Sequence, residues 1–182
     1  DLTGTARLTS RHEIAVEGKK GAETVRAERI IIATGSEAAR PDAFPFDDER
    51  VIDSKALLAR TELPASILII GGGYIGCEFA SILNAVGVDV TIVEMLDRLL
   101  PLADADVSKA LAKHFTDADI TVHTGRAIDD VKVTGKGVCG KVGDEKVKAE
   151  IMLVAIGRTA NVEGLGLEEV GVDPELGGKD SE

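Results

Sequence analysis

The apolar residues of positions 66–94 change their spacing twice, which predicts three consecutive elements. The run Ile67–Ile70 is short and uninterrupted, as is typical of a strand buried in a parallel sheet. From Tyr74 onward the apolar residues recur at helical spacing until Gly87, where a glycine favours the end of a helix. A second short apolar run, Val88–Val93, follows. This stretch is therefore predicted to be a βαβ unit.

Shorter stretches on both sides of this unit predict further strands and two helices. Strands that alternate with helices indicate an α/β fold, here a Rossmann-like parallel sheet with a β-meander. Asp53 and Asp104 stand where the N-caps of the two helices are expected. The glycine-rich, acidic tail 164–182 is expected to be mobile. The predicted strands are Thr5–Leu8, His12–Val16, Glu23–Ala27, Arg29–Thr34, Ile120–Val122, Ile128–Val133, Gly137–Val142, Lys146–Lys148 and Ile151–Ile156, and the predicted helices are Ser54–Ala59 and Ala105–Phe115.

The chain contains an internal repeat. Glu23–Ala38 (ETVRAERIIIATGSEA) and Glu145–Ala160 (EKVKAEIMLVAIGRTA) are identical at seven of sixteen positions. The second copy is expected to complete the nucleotide-binding domain that begins with the βαβ unit, so the first copy should complete another such domain. Only 34 residues precede Gly35, against 86 positions between Gly71 and Gly157. We therefore expect a larger protein in which one nucleotide-binding domain interrupts the other.

These observations predict four parts of the chain. A stretch with prolines and an acidic run has the composition of a linker and separates the two repeat copies. The parts are residues 1–36, the end of a truncated first domain; residues 37–64, the linker; residues 65–160, the nucleotide-binding domain; and residues 161–182, a segment that returns towards the first domain.

Charge and hydropathy exclude several classes of function. The net charge is −11, with 32 Asp and Glu against 21 Lys and Arg and no basic cluster, which argues against binding to nucleic acid or to an anionic membrane. No apolar run approaches the roughly 18 residues of a membrane-spanning helix, and the first residues do not resemble a signal peptide. The sequence thus predicts a cytoplasmic protein that binds neither nucleic acids nor membranes.

The residue types most often used in catalysis form no recognisable motif. Cys77 and Cys139 are 62 positions apart, which fits neither a C-x-x-C pair nor a zinc site. The helix dipole could lower the pKa of the Cys77 thiol in the first helical turn, but apolar packing is the expected role. The histidines show no metal-binding spacing, and the single tyrosine, Tyr74, leaves no Tyr-x-x-x-Lys pair. We predict no catalytic residue and no metal site within this chain.

The loop between the first strand and the helix predicts a dinucleotide site. Gly71, Gly73 and Gly76 form a G-x-G-x-x-G pattern, in which the glycines allow a tight turn, close approach of a pyrophosphate, and close packing of helix on strand. The helix N-terminus adds free N–H groups and a positive dipole. Glu94, 18 residues after Gly76, stands where an acid binds the ribose hydroxyls of NAD and disfavours NADP. A glycine turn with a purely structural role is the alternative, but strand, loop, helix and acid all follow in order.

The order of IIIATGS, IIGGGYIGCEFAS, VTIVE and AIGR resembles that of the pyridine nucleotide-disulfide oxidoreductases, most closely the dihydrolipoamide dehydrogenases among them. The resemblance covers almost the whole chain. It implies an FAD domain, an inserted NAD domain and a C-terminal domain that forms a homodimer interface. This chain matches the NAD domain and a piece of the FAD domain. The redox C-x-x-x-x-C, the FAD phosphate loop, the second FAD segment and the His-Glu of the interface domain are not in this sequence, so the fragment alone is expected to be inactive.

The resemblance also assigns residues to NAD and, in the whole protein, to FAD. It implies that Glu94 binds the adenosine ribose, Ile128 lies by the adenine and Gly157 approaches the nicotinamide. Glu78 matches a glutamate near nicotinamide and flavin, although it could be a simple helix-face carboxylate. Tyr74 matches an aromatic lid over the flavin, where dihydrolipoamide dehydrogenases often have an aliphatic residue. The implied NAD residues are Gly71, Gly72, Gly73, Tyr74, Ile75, Gly76, Glu78, Glu94, Ile128 and Gly157, and the implied FAD residues are Ala6, Thr34, Gly35 and Ser36.

The activity implied for the whole protein is an electron relay from dihydrolipoamide through an active-site disulfide and FAD to NAD. A mercuric, glutathione-type or coenzyme A disulfide reductase is an alternative within the same family, because the cysteine motifs that separate these enzymes lie outside this sequence. A second alternative is an NAD-binding module without turnover.

Overall fold

The computed structural model describes residues 1–173, which form two compact units. The first unit contains Asp1–Glu37 and the chain from Ala160 onward, and the second contains Ala38–Thr159. The strands are β1 Thr5–Ser10, β2 Glu13–Gly18, β3 Gly21–Arg26, β4 Ser36–Ala38, β5 Val51–Ile52, β6 Ser66–Ile70, β7 Asp89–Val93, β8 Thr121–His123, β9 Asp129–Thr134, β10 Gly137–Val142, β11 Glu145–Ala149, β12 Ile151–Val154 and β13 Arg158–Ala160, and the helices are α1 Ser54–Leu58, α2 Tyr74–Ala85, α3 Ala105–Asp117 and the 3₁₀-helix Glu168–Val170.

The second unit is built on a parallel sheet with the strand order β5-β12-β6-β7-β8. Ile67 and Ile69 of β6 are buried on the face that is covered by helices, while Leu68 and Ile70 are buried on the face that is covered by the meander β9-β10-β11. Successive side chains of a strand point to opposite faces, so a strand covered on both sides must be apolar throughout. This explains the uninterrupted run at Ile67–Ile70 and confirms the predicted α/β, Rossmann-like fold.

The predicted helix N-caps are confirmed. The Asp53 carboxylate accepts a hydrogen bond from Ala56 N–H at the start of α1. The Asp104 carboxylate accepts one from Asp106 N–H at the start of α3. Each cap provides an acceptor for one of the N–H groups that a helix leaves unpaired in its first turn.

The first unit contains the antiparallel meander β1-β2-β3. Each repeat copy therefore begins with the third strand of a three-stranded meander, β3 in the first copy and β11 in the second, as the sequence predicts. Leu8 of β1 packs with Leu167 and Val170 in a small apolar cluster, and Leu8 N–H donates to the Leu165 carbonyl at 2.8 Å. The segment around the 3₁₀-helix is thus packed, in contrast to the predicted mobile tail, and the rest of that tail lies outside the described residues.

The predicted strand Arg29–Thr34 is wrong. No strand is formed at these positions, and Ile31 is 90% exposed. A strand of a parallel sheet needs a neighbour for its backbone N–H and C=O groups, and within residues 1–173 no strand pairs with this stretch. The homologous run in the second repeat copy forms β12, which has β5 and β6 on either side.

The stretch 37–64 has the composition of a linker, but most of it packs into the second unit. β5 pairs in parallel with β12, and the Arg50 carbonyl accepts a hydrogen bond from Met152 N–H at 2.7 Å. Phe44 and Phe46 pack against the apolar cluster on the meander face of the sheet. Residues 51–52 are therefore an edge strand of the sheet, which a composition rich in prolines and acids does not predict.

Candidate functional site: a pocket at the glycine loop

A cavity of about 530 Å³ opens at the carboxyl ends of β12, β6 and β7. In open α/β sheets, this edge is where ligands bind. The wall is mostly apolar and includes the buried carboxylate of Glu94. The lining residues are Phe44, Ile70, Gly71, Gly73, Tyr74, Ile75, Val93, Glu94, Met95, Leu96, Pro101, Ala127, Ile128, Ala155, Ile156 and Gly157.

Two glycines of the loop are required by the fold itself. Gly71 has a φ of 109°, and a Cβ there would overlap the Ala155 carbonyl of the neighbouring strand end. A Cβ at Gly76 would overlap the Gly71 carbonyl oxygen and would lie 3.3 Å from Ile69. Only glycine therefore lets α2 pack this closely on β6 and the loop, as the sequence pattern predicts.

Gly73 differs from the other two glycines, because the space beside it is open. It is the N-cap of α2 with a φ of −74°, which any residue can adopt, and a Cβ there would meet no described atom within 4 Å. No side chain of the described residues caps the first turn of α2. The N–H groups of this turn and the helix dipole are thus directed at an open part of the pocket, which suits an anion.

Glu94 is held by the backbone of two loops. Its carboxylate oxygens accept hydrogen bonds from Gly72 N–H at 2.6 Å and from Leu96 N–H at 2.7 Å, and the residue is 8% exposed. The carboxylate therefore joins the glycine loop to the loop after β7. Each oxygen has lone pairs left, so the group could also accept from the hydroxyls of a ligand in the pocket.

Cys77 is a packing residue. It is 5% exposed, and its thiol donates a hydrogen bond to the Gly72 carbonyl at 3.3 Å. Burial, together with the nearby charge of Glu94, raises the pKa of this thiol to about 11. The helix dipole thus does not make Cys77 a reactive thiolate, in agreement with the role expected from the sequence.

The pocket brings together seven of the ten residues assigned to NAD. These are Gly71, Gly73, Tyr74, Ile75, Glu94, Ile128 and Gly157. Gly72 in the loop and Gly76 in the first turn of α2 are buried and are not part of the pocket wall, and Gly72 N–H donates a hydrogen bond to Glu94. Glu78 is exposed on α2 and is not part of the wall.

The residues assigned to FAD lie in the first unit or where the chain leaves it. Ala6 is exposed on β1, and Ser36 begins β4. Thr34 and Gly35 are joined to Asn161, a residue that the sequence motifs did not indicate. The Thr34 hydroxyl donates to the Asn161 carbonyl at 2.6 Å, and Asn161 N–H donates to the Gly35 carbonyl at 3.0 Å.

Part of the pocket wall was not predicted from the sequence. Met95, Leu96 and Pro101 follow Glu94 in a loop whose course depends on the Glu94 carboxylate. Phe44 comes from the stretch expected to be a linker. No local motif indicates any of these residues, although the position of the loop directly after the acid is a usable signal. The lining residues with a side chain beyond Cβ that were not predicted as site residues are Phe44, Ile70, Val93, Met95, Leu96, Pro101 and Ile156.

The parallel sheet, the glycine loop at its carboxyl edge and the buried acid after β7 define a dinucleotide-binding Rossmann domain. The sequence profile of the family described as "Pyridine nucleotide-disulphide oxidoreductase" matches residues 2–179. The chain belongs to this family. The cofactor class predicted from the sequence, a pyridine nucleotide with a flavin in the whole protein, is that of the family and is confirmed.

Two curated relatives represent different members of this family. A dihydrolipoyl dehydrogenase of Bacillus subtilis (strain 168) is 40% identical over 174 residues, which cover 94% of this chain and 38% of the relative. A soluble pyridine nucleotide transhydrogenase of Vibrio parahaemolyticus is 37% identical over 180 residues, which cover 98% of this chain and 39% of the relative. The chain thus spans less than two fifths of the length of either relative.

Solved structures show the same fold. The HOCl-induced flavoprotein disulfide reductase RclA from Escherichia coli matches with a TM-score of 0.79 and 28% identity over 94% of this chain and 39% of its own. LpdA from Mycobacterium tuberculosis matches with a TM-score of 0.76 and 31% identity over 94% of this chain and 38% of its own. Within residues 1–173, no helix has both the length and the hydropathy needed to span a membrane.

Proposed function

We propose that residues 38–159 bind NAD(H) as the pyridine nucleotide domain of a flavoprotein disulfide oxidoreductase. The glycine loop is the observation that carries this proposal. Gly71 and Gly76 are needed for the fold, whereas Gly73 leaves open space in front of the N-terminus of α2. A pyrophosphate fits that space because its oxygens can accept hydrogen bonds from the N–H groups of the first helical turn.

Other residues of the pocket would hold the two ends of the dinucleotide. The Glu94 carboxylate would accept from the hydroxyls of the adenosine ribose. Gly157, with a φ of 149° and no described atom within 4 Å of an added Cβ, leaves room for a ligand near the end of β12. Tyr74, 56% exposed in the pocket wall, would limit access of water. Hydride transfer itself is the chemistry of the nicotinamide and the flavin, while the chain supplies binding and orientation.

The same carboxylate favours NAD over NADP. A 2′-phosphate beside Glu94 would meet a like charge and would lose the ribose hydrogen bonds, at a cost on the order of 1–3 kcal/mol. We expect NADH to bind about tenfold or more tightly than NADPH in calorimetric titrations of the purified chain. Equal affinities for the two nucleotides would contradict this assignment of Glu94.

For the whole protein we propose dihydrolipoyl dehydrogenase activity in a homodimer, supported by the 40% identity with the Bacillus subtilis enzyme. A mercuric, glutathione-type or coenzyme A disulfide reductase remains the alternative with a disulfide or metal substrate. The similarity to the Vibrio parahaemolyticus transhydrogenase favours a second candidate, hydride exchange between two nucleotides. Assays of the whole protein separate them, because only the first activity forms NADH from dihydrolipoamide. The 182-residue chain alone should show no turnover.

Two glycine-to-alanine substitutions, one in the pocket and one outside it, test nucleotide binding directly. Gly73→Ala is expected to leave the free energy of unfolding nearly unchanged, because the added Cβ meets no described atom. It should weaken NADH binding by at least about tenfold, since the methyl group would occupy the place of the pyrophosphate. Gly135→Ala is the matched control, because a Cβ there also meets no described atom and the position is outside the pocket. NADH binding that is unaffected by Gly73→Ala would refute the proposal.

A further inference from the structure

Phe44 is an aromatic side chain in the pocket that no motif of the sequence indicated. Together with Ala155, Ile156 and Gly157 it forms part of the wall. It is half-buried and packs against the apolar cluster on the meander face of the sheet. Its ring is therefore anchored on one side and available to a ligand on the other.

The backbone places Phe44 on the Gly157 side of the pocket. Ala39 N–H donates to the Gly157 carbonyl at 3.0 Å, and a turn then closes with Phe44 N–H donating to the Pro41 carbonyl at 3.1 Å. The chain thus folds back near Gly157, at the end of β12. Glu94 lies at the end of β7, and the strand order β12-β6-β7 puts the glycine loop between them. A dinucleotide with its adenosine ribose at Glu94 and its pyrophosphate at the loop would extend its nicotinamide half towards Phe44.

Three further residues fix the position of the Phe44 ring. Phe46 meets it edge to face, with ring centroids 6.5 Å apart. The Arg40 guanidinium lies over the Phe46 ring at 5.3 Å from its centroid, within the range of a cation–π contact. Arg40 is held in turn by Asp53, whose Oδ2 accepts from Nε at 3.1 Å and from Nη2 at 2.5 Å. The Asp53 side chain is only 7% exposed, so this anchor is well fixed.

We propose that Phe44 contacts the nicotinamide half of the bound nucleotide, and that Arg40 and Phe46 are positioning residues for its ring. This inference rests on the proposed NAD(H) site and extends it. An aromatic ring at the side of the nicotinamide can stack on it or meet it edge to face, and it excludes water from that part of the pocket. Through this contact the nicotinamide ring, and not only the phosphates, would contribute to the affinity for the nucleotide.

A comparison of two ligands tests the contact. NADH and ADP-ribose share the adenosine and the pyrophosphate, and only NADH has the nicotinamide. Calorimetric titration of the purified 182-residue chain would measure the affinity for each. We expect Phe44→Leu, which keeps an apolar side chain but removes the ring, to weaken NADH binding by about three- to tenfold and to leave ADP-ribose binding within about twofold. Leu58→Ala, at an exposed position of α1, is the control and should change neither.

The positioning role has its own test. Arg40→Met removes the charge that joins Asp53 to Phe46, and we expect about threefold weaker binding of NADH with unchanged binding of ADP-ribose. Arg40→Lys keeps a cation beside Asp53 and should restore the NADH affinity. A general loss of folding would lower both affinities together, so the ratio of the two affinities separates positioning from destabilisation.

The outcomes distinguish a failure of the proposed Phe44 contact from a failure of the proposed NAD(H) site. Selective loss of NADH affinity in Phe44→Leu supports the inference. Equal loss for both ligands, a larger loss for ADP-ribose, or no loss at all would overturn it while leaving the NAD(H) site intact. If neither ligand bound the unsubstituted chain, the proposed NAD(H) site would be refuted and the role of Phe44 with it.

Discussion

Glu94 and Glu78 are both close to the glycine loop in sequence, but their surroundings differ. Glu94 is buried and accepts hydrogen bonds from Gly72 and Leu96 N–H. Glu78 is exposed on α2 and is not part of the pocket wall. Glu94 thus has a structural role in addition to the one suggested by its position after the second strand. A substitution of Glu94 would therefore change the glycine loop as well as any contact with ribose.

This difference gives a prediction for the two glutamates. Glu94→Ala should lower the free energy of unfolding by on the order of 2 kcal/mol, because two N–H groups lose their acceptor. Glu78→Ala should change it by no more than about 0.5 kcal/mol, as is usual for an exposed side chain. Denaturant unfolding of the two variants would measure this. A destabilisation that is equal in both variants would contradict the bracing role of Glu94.

The sequence predicts residue roles well where one residue type is the only one that fits. Gly71 could be predicted because its positive φ and its close contacts exclude a side chain, and Gly76 because its close contacts alone do so. Phe44 could not be predicted, because its place in the wall depends on a turn and on an edge strand that pairs across a long sequence distance. Asn161 was missed for the same reason, since it contacts Thr34, 127 positions away.

The short helix α1 is stabilised by a single carboxylate with two tasks. Asp53 caps the helix and pairs with Arg40. Burial of Asp53 would raise the pKa of its carboxyl, but the hydrogen bonds from Ala56 and Arg40 outweigh it, and the pKa is lowered. A group whose pKa is lower in the folded state stabilises the fold above its unfolded pKa, about 3.9, and loses this contribution as the pH falls through the folded value.

We therefore expect Asp53→Asn to lower the stability by about 1 kcal/mol at pH 7 and by less and less as the pH falls below about 3.9, because the contribution of the native carboxylate is lost as the group becomes protonated. Urea unfolding at several pH values would show the two curves converging in acid. Asp104→Asn is the control, because Asp104 caps α3 in an exposed position. If Asp53→Asn lowered the free energy of unfolding by the same amount at every pH, a contribution from the ionised carboxylate would be ruled out.

Two apolar runs of the repeat have similar sequences and different structures. The second-copy run at 151–154 is a central strand, as is Ile67–Ile70 outside the repeat, whereas the first-copy run at 29–34 forms no strand. An apolar run cannot form a strand of a sheet without neighbouring strands. The pattern alone therefore predicted a strand that residues 1–173 do not form.

Hydrogen exchange should reflect this difference between the runs. The amides of Ile67–Ile70 are paired inside the parallel sheet and should be strongly protected. The amides of Ile30–Ala33 should exchange much faster in a dilute monomer. Equal protection of both segments would mean that the first-copy run is covered within the chain and would contradict the structure at this point.

All residues that line the pocket belong to the second unit, which spans Ala38–Thr159. We expect this segment, expressed alone, to bind NADH within about twofold of the affinity of the 182-residue chain, because no side chain of the pocket is lost. Calorimetric titration of both proteins would test this. An affinity lower by an order of magnitude would show that residues outside the unit contribute to the site.

The hydrogen bond between Ala39 and Gly157 has a consequence for the use of this unit as a building block. It holds the two ends of the unit side by side, and β4 and β13 pair at the same place. A segment whose ends meet can be grafted into a surface loop of another protein without stretching the host, since the loop has to open by only one strand spacing. Residues 38–159 are therefore suited to insertion as a self-contained module into a surface loop of another protein.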